Sequence, residues 1–312
     1  MILPKKQKLV IIAGPTSIGK TSLAIRIAGR FNGEIISSDS MQVYKFMDIG
    51  TAKPTHEEQK AAKHHLIDVV LPDEHFDAAL FAERAGKTAE DLEKRCRTPI
   101  IAGGTGLYIK ALLHGLSDIP LVNENIREKL KKEAAITGSA ALHEKLADVD
   151  PVSFKTLHPN DTQRIIRALE VFETTGIPIS EVSKNHGFAD SPYDTLKIGL
   201  TVDRKTLYER INLRTDLMMK AGFIDEVKSL LDMGYHRNLK SMQSIGYRHI
   251  ADYLSGDSDL DISVETLKRD TRRYAKRQYT WFIRDKEMNW FSMDEKGQAD
   301  KIEQRVKLFL SE

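Results

Sequence analysis

Cysteine is almost missing from this chain: among its 312 residues only Cys96 carries a thiol. One cysteine closes no disulfide framework and builds no cysteine-based zinc site, and such scarcity fits a protein of the reducing cytoplasm. Long apolar runs are missing as well. The run that follows Lys5, Lys6 and Lys8 is too short for a signal-peptide core or a membrane span, so no membrane partner is expected. Internal repeats and low-complexity tracts are absent. Net charge is only +2 at pH 7, which by itself gives no sign of a nucleic-acid partner. What is present is the composition of a soluble globular protein, 41% hydrophobic and 29% charged, with room for one large domain or two ordinary ones.

The most informative stretch is Gly14-Pro15-Thr16-Ser17-Ile18-Gly19-Lys20-Thr21, which matches G-x-x-x-x-G-K-[ST] in a suitable context. Leu9–Ala13 reads as a buried strand entering it. Leu23, Ile27 and Phe31, with Ala24 and Ala28, have helical spacing behind it. Gly14 and Gly19 let the backbone curl so that N–H groups face an anion. Lys20 supplies a point charge, Thr21 a hydroxyl for Mg²⁺, and the helix that opens at Lys20 its positive dipole end. The chemistry predicted for this loop is binding of a di- or triphosphate.

Short apolar runs alternate with helical patterns, which predicts an α/β fold: a P-loop NTPase-like parallel sheet flanked by helices. The expected strands are Leu9–Ala13, Glu34–Ser37, Leu66–Val70, Pro99–Ala102 and Leu196–Val202. Residues 117–194 carry helical spacing instead, through Ile126, Leu130 and Ala134, then Leu142 and Leu146, then Ile165, Leu169 and Phe172. They are expected to form an inserted all-helical subdomain within a core made of 1–116 and 195–312. Turn residues Gly115, Ser117, Asp118 and Pro120 mark one edge, and Asp190, Ser191 and Pro192 the other. After Val202 the chain reads as helical nearly to its end.

A phosphate loop alone leaves ATPases, GTPases, kinases and phosphate-handling transferases open. Asp39 closes the strand Glu34-Ile35-Ile36-Ser37-Ser38, where open α/β sheets place ligands. It could hold Mg²⁺ through water, act as a general base, or cap a turn. The strand Pro99–Ala102 ends in Gly103-Gly104-Thr105-Gly106 rather than in the acid of a typical NTPase, which argues against ATP hydrolysis. Arg210 and Arg214, spaced i,i+4, suit a diphosphate leaving group and a solvated helix face equally well. Residues 271–286 hold six basic side chains against one acid, a local charge of +5, with Tyr274, Tyr279, Trp281 and Phe282 among them. That pattern serves either a solvated amphipathic helix or a phosphate-tracking surface with aromatic groups beside it.

In order along the chain stand Gly14–Thr21, then Asp39-Ser40-Met41-Gln42-Val43-Tyr44, then Asp48-Ile49-Gly50-Thr51-Ala52-Lys53-Pro54. Gly103–Tyr108, then His158-Pro159-Asn160-Asp161 before Gln163-Arg164-Ile165-Ile166-Arg167, then Ser244-Ile245-Gly246-Tyr247 and Lys276-Arg277-Gln278 with Trp281 complete the set. This ordered set resembles the tRNA dimethylallyltransferases, in their bacterial form without a C-terminal zinc finger, from about Leu9 to Trp290. Ser17-Ile18 and Met41 depart from the commonest forms at positions that carry no side-chain chemistry.

The resemblance implies transfer of a dimethylallyl group from its diphosphate to the exocyclic amine of the adenosine 3′ of the anticodon. It gives the phosphate loop dimethylallyl diphosphate as ligand, Mg²⁺ as cofactor near Thr21, and Asp39 the part of base. Lys20, Thr21, Arg214 and, less directly, Arg210 would meet the charge of the departing diphosphate. Asp39, Ser40, Met41 and Gln42 would form the adenosine pocket, with the Gln42 amide reading the base edge. Thr105, Arg127, Gln163, Arg164, Ile165, Ile166, Arg167 and Ser244, Ile245, Gly246 and Tyr247 would contact the tRNA anticodon stem-loop. No protein partner is implied, and the chain is expected to act as a monomer. Two rivals use the same loop: an adenylate isopentenyltransferase acting on free nucleotide, which needs no RNA-gripping insertion, and a small-molecule kinase. A non-catalytic RNA-binding module would not require intact Lys20, Thr21 and Asp39.

Overall fold

The computed structural model describes residues 6–116, 123–185 and 191–312. Of the turn residues expected around the insertion, Ser117, Asp118, Pro120 and Asp190 lie outside the described residues, as does Lys5. The chain divides into two compact units, Met1–Leu113 with Ser191–Glu312, and His114–Asp190. The division therefore falls three or four residues before the expected 117 and 195.

The larger unit is built on six strands: β1 (Gln7–Ala13), β2 (Gly33–Ser38), β3 (His64–His65), β4 (Thr98–Gly103), β5 (Tyr193–Thr201) and β6 (Asn289–Ser292). They pair in the order β3-β2-β4-β1-β5-β6, every pair parallel. Central β1 puts Val10 opposite Ile100 on one side and Leu196 on the other, and Leu9 to Ala13 are completely buried. A strand covered on both faces needs such an unbroken apolar run. Four helices accompany the first four strands: α1 (Lys20–Arg30), α2 (His56–Ala61), α3 (Ala78–Lys94) and α4 (Gly106–His114). In a parallel sheet all loops that leave strand C-termini open on one edge, so those after β1, β2 and β4 share it.

The smaller unit holds α5 (Glu124–Thr137), α6 (Ser139–Val149), α7 (Pro151–Thr156), α8 (Thr162–Thr175) and α9 (Ile179–Asn185). Leu130, Leu142, Leu146, Ile165, Ile166 and Leu169 form its core. Caps set its helix ends: the Asn123 side chain accepts from Ile126 N–H, Asp150 from Ser153 N–H and Asp161 from Arg164 N–H. The larger unit resumes at β5 and continues through α10 (Arg204–Lys220), α11 (Phe223–Asp232), α12 (Tyr247–Leu254), α13 (Leu260–Phe282) and α14 (Gln298–Ser311).

Two strand expectations need correction. Leu66–Val70 is no strand: β3 is the preceding His64–His65, and Leu66 and Asp68 have φ of 60° and 55°, which no strand tolerates. Leu66 and Val70 are apolar because the loop is buried, and Val70 makes only an isolated bridge to Tyr44. The C-terminal region is not helical throughout either. Asn289–Ser292 adds β6 at the sheet edge, too short and too evenly half-buried to show an alternating pattern.

Candidate active site

The loop after β1 opens with Gly14 at φ 151° and ends at Gly19, whose φ of 99° provides the left-handed turn into α1. Lys20 folds back over the loop, and its Nζ donates to the carbonyls of Gly14 (3.0 Å) and Pro15 (2.7 Å). Burial lowers its pKa to about 8; the negative Asp39 opposes that shift and Arg214 adds to it. Arg214, on α10, sends Nη2 to the Thr16 hydroxyl, and its pKa is lowered by burial against the pull of Asp39. Arg210, one turn earlier, is 40% exposed and lies 3.8 Å from Asp294. Of the two arginines it is Arg214 whose guanidinium reaches the phosphate loop.

Asp39 follows β2. Its Oδ1 accepts the N–H groups of Met41 (2.8 Å) and Gln42 (3.3 Å), an Asx-type turn that holds the carboxylate while Oδ2 takes no donor among the described residues. Ser40 N–H donates to the Thr105 hydroxyl at 3.2 Å, which ties the turn after β2 to the one after β4. Tyr274 of α13 faces the same place. Burial, then the charge of Asp39, pushes its phenol up to about 12, so it stays a hydroxyl donor at neutral pH.

Two cavities meet here. One, of about 510 Å³, is lined by residues 16–22 together with Ser37, Asp39, Gln42, Arg210 and Arg214. The other, of about 230 Å³, is walled by Ser40, Met41, Met218, Phe223, residues 244–247, Thr271 and Tyr274. Thr16, Asp39, Thr51 and Arg214 line both. A cationic, N–H-rich chamber thus opens onto a smaller one walled by both hydroxyl and apolar side chains, with a carboxylate and a guanidinium at the junction.

A family model for the IPP transferases matches residues 42–286. A tRNA dimethylallyltransferase of Desulfosudis oleivorans is 52% identical over 307 residues, covering 98% of this chain and 97% of the relative. The chain belongs to the IPP transferase family. Another tRNA dimethylallyltransferase, from Geobacter sulfurreducens, is 50% identical across 91% of this chain and 92% of its own length. Among solved structures, the tRNA isopentenylpyrophosphate transferase of Bacillus halodurans superposes with a TM-score of 0.74 at 44% identity, covering 98% of this chain and 97% of that one. A eukaryotic dimethylallyltransferase acting on tRNA gives 0.82 at 28% identity, over 98% of this chain and 80% of its own. The chain is a transferase with a P-loop NTPase-like core.

Within this family framework the expected site residues separate into groups. Of the phosphate loop, Thr16 to Thr21 line the two cavities, as do Asp39, Ser40, Met41, Gln42, Arg210, Arg214, Ser244, Ile245, Gly246 and Tyr247, whereas Gly14 and Pro15 lie beneath with their carbonyls on Lys20. Thr105 lies behind them, bonded to Ser40. Gln42 departs from its expected part. Its Nε2 donates to the carbonyls of Thr51 (3.4 Å) and Ala52 (3.2 Å) and its Oε1 accepts from Ser37 (3.0 Å), so its amide is engaged by the protein rather than presented to a base. Tyr247 is fully buried and donates to Glu226 at 2.6 Å.

Arg127, Gln163, Arg164, Ile165, Ile166 and Arg167 belong to the helical unit. Ile165 and Ile166 are 0% and 7% exposed and pack its core, which corrects their expected contact with RNA. Arg127 and Arg167 both bond to the buried Glu170, at 2.8 and 2.9 Å. Gln163 and Arg164 are exposed at the first turn of α8.

Sequence reasoning missed three further groups. Glu226 accepts the N–H groups of Asp48 (3.0 Å), Ile49 (2.7 Å) and Gly50 (3.1 Å) and so fixes the wall that carries Thr51. The Lys53 side chain is covered and bridges Asp48 and Asp68, both at 2.5 Å. Gln278 joins the phosphate loop to Gly104. Lys53 and Gln278 stand in the quoted motifs, but nothing local to either reveals its partner.

Among the described residues no helix is long and apolar enough to cross a membrane, and no three His, Cys, Asp or Glu side chains assemble a metal cage.

Proposed function

We propose that this chain transfers a dimethylallyl group from dimethylallyl diphosphate to the exocyclic amine of the adenosine 3′ of the anticodon of tRNA. The observation that carries this reading is the junction of two unlike cavities at Asp39, Thr16 and Arg214. A transfer between two substrates needs such a junction, with an anion-binding chamber for the leaving group and a base-sized chamber for the acceptor.

In the reaction the amine nitrogen forms a bond to the allylic C1, the C1–O bond breaks, and diphosphate departs with the electron pair. The amine proton passes to the Asp39 carboxylate, whose Oδ2 takes no donor among the described residues. Lys20, Arg214 and the loop N–H groups meet the charge that grows on diphosphate, in a setting where burial strengthens each interaction. Holding both reactants at the junction contributes up to about 7–11 kcal/mol in well-aligned cases. Mg²⁺ suits the donor set: the Thr21 hydroxyl is among the oxygen groups that line the phosphate-side cavity, and Mg²⁺ binds through few protein groups plus phosphate oxygens and water. When bound it supplies further charge to the leaving group. In the larger unit the exposed Arg277, Trp281 and Arg284 of the basic segment supply RNA-binding charge and a stacking group, and in the helical unit Arg164 supplies RNA-binding charge of its own. The protein works as a cytoplasmic monomer.

The test is mass spectrometry of unmodified tRNA incubated with the protein, Mg²⁺ and dimethylallyl diphosphate, beside AMP and ATP as alternative acceptors. The expected result is one dimethylallyl group on the adenosine next to the anticodon. Prenylated AMP with untouched tRNA would move the acceptor to a free nucleotide. Absence of prenylation on every acceptor would overturn the reading.

A further inference from the structure

Gln278 has no part in the transfer just described, yet it reaches the phosphate loop. Its side chain is 6% exposed and both ends of its amide are engaged: Oε1 accepts the Thr16 N–H at 2.9 Å and Nε2 donates to the Gly104 carbonyl at 3.0 Å. The fit leaves no room at Gly104, where a Cβ would lie 2.1 Å from Nε2. Thr16 is therefore held twice, through its N–H by Gln278 on α13 and through its hydroxyl by Arg214 on α10.

The loop needs support from outside. Ser17, the next residue, is a non-glycine at φ 64°, and its buried Oγ has no hydrogen-bond partner among the described residues. A residue in that region costs on the order of 1 kcal/mol or more and persists only when its surroundings impose it. Gln278 also sits in a row. Tyr274, Gln278 and Trp281 follow at i, i+4 and i+7 on one face of α13. Tyr274 lines the smaller cavity, and the Trp281 indole lies so close to Gly106 that a Cβ there would stand 2.1 Å from the ring. One helix face thus runs from the acceptor chamber past the phosphate loop to the turn after β4.

We propose that Gln278 is a positioning residue for the donor. It holds Thr16 and the strained Ser17 in the diphosphate-receiving conformation before the donor arrives, so that binding does not have to order the loop. The inference rests on the proposed donor, but the diphosphate half of its test needs no acceptor.

The variant is Gln278→Met, which keeps the length and bulk of the side chain and removes both hydrogen bonds. Calorimetric titration with inorganic diphosphate and Mg²⁺ is expected to show about tenfold weaker binding, equivalent to about 1.4 kcal/mol. In steady state the KM for dimethylallyl diphosphate should rise by the same factor, while kcat and the KM for tRNA change less than twofold. Equal diphosphate affinity in wild type and variant overturns the proposal. So does a parallel rise of both KM values with a lower melting temperature, the mark of a plain helix anchor. Should Gln278→Met fail to fold, Gln278→Asn, one methylene too short to span both partners, carries the same comparison. Wild-type protein that binds inorganic diphosphate without prenylating tRNA would sink the proposed function and leave the Gln278 comparison intact.

Discussion

Half-buried positive charge is treated in opposite ways in the two units of this protein. In the helical unit Arg127 and Arg167 converge on Glu170, which is completely buried and also accepts the Asn123 N–H at 2.9 Å. There the charge is answered from within the chain. In the larger unit Lys20 and Arg214 are half-buried as well, but among the described residues neither has a carboxylate within ion-pair distance, and Asp39 acts on them only from farther off. Their partners are two loop carbonyls and one hydroxyl, and burial lowers the pKa of both. A desolvated cation without a counter-ion is costly unless an anion arrives to offset it. The difference teaches where to look for a ligand: uncompensated charge marks the phosphate chamber, and compensated charge marks architecture.

The largest effect should come from the uncompensated side. Lys20→Ala removes the charge proposed to meet the leaving group, and transfer at saturating donor should fall about 10²–10³-fold, the usual loss for one electrostatic stabiliser. Initial rates of tRNA prenylation measure it; a variant within tenfold of wild type would deny Lys20 that part. On the compensated side, Glu170→Gln takes away the shared counter-ion and leaves two guanidiniums facing each other. The helical unit should lose up to about 3 kcal/mol, the low end for a broken buried pair, because both arginines remain about a quarter exposed. Hydrogen exchange over α5 and α8 reads this directly. Unchanged protection there would mean that Glu170 is no keystone.

How much of this was legible beforehand depended on the distance over which each residue acts. The phosphate loop could be read because its glycines, Lys20 and Thr21 are contiguous and β1 is an unbroken apolar run. Asp39 could be read because strand ends point at ligands. Leu66–Val70 misled because burial, not pairing, made it apolar, and β6 was hidden by its four half-buried residues. Gln278 and Glu226 were out of reach, since their partners lie 262 and about 177 residues away and helical periodicity reports a face, not an address. Ile165 and Ile166 show the converse: they stand within a basic motif, and only the packed core shows which way they face.

A smaller effect, spread over pH, sharpens the contrast. In the free protein Lys20 has a pKa of about 8, so it is charged below that value and neutral above it. A bound diphosphate favours the charged form. Donor affinity should therefore be flat at lower pH and fall as pH rises through about 8, by at most about tenfold per unit for loss of one proton. Binding at pH 8.5 should take up a proton, which appears as a buffer-dependent heat in calorimetry. Lys20→Arg, charged throughout, should flatten the fall; the same slope in that variant would assign the titration elsewhere.

The smallest effect separates charge held for architecture from charge held for RNA within the helical unit itself. Arg164 is 68% exposed and its pairing with Asp161, at 3.4 Å, is a surface contact worth about 0–1 kcal/mol. Arg127 is three-quarters covered and bonds twice to Glu170. Arg164→Ala should leave the melting temperature unchanged, weaken tRNA binding and reduce the slope of log K against log salt by about one. Arg127→Ala should lower stability first, and any loss of RNA affinity should follow the loss of folded unit. Binding isotherms at several salt concentrations, taken beside thermal melts, distinguish the two. If Arg164→Ala binds tRNA like wild type with an unchanged slope while Arg127→Ala alters the slope without melting earlier, counter-ion pairing does not tell binding charge from structural charge in this fold.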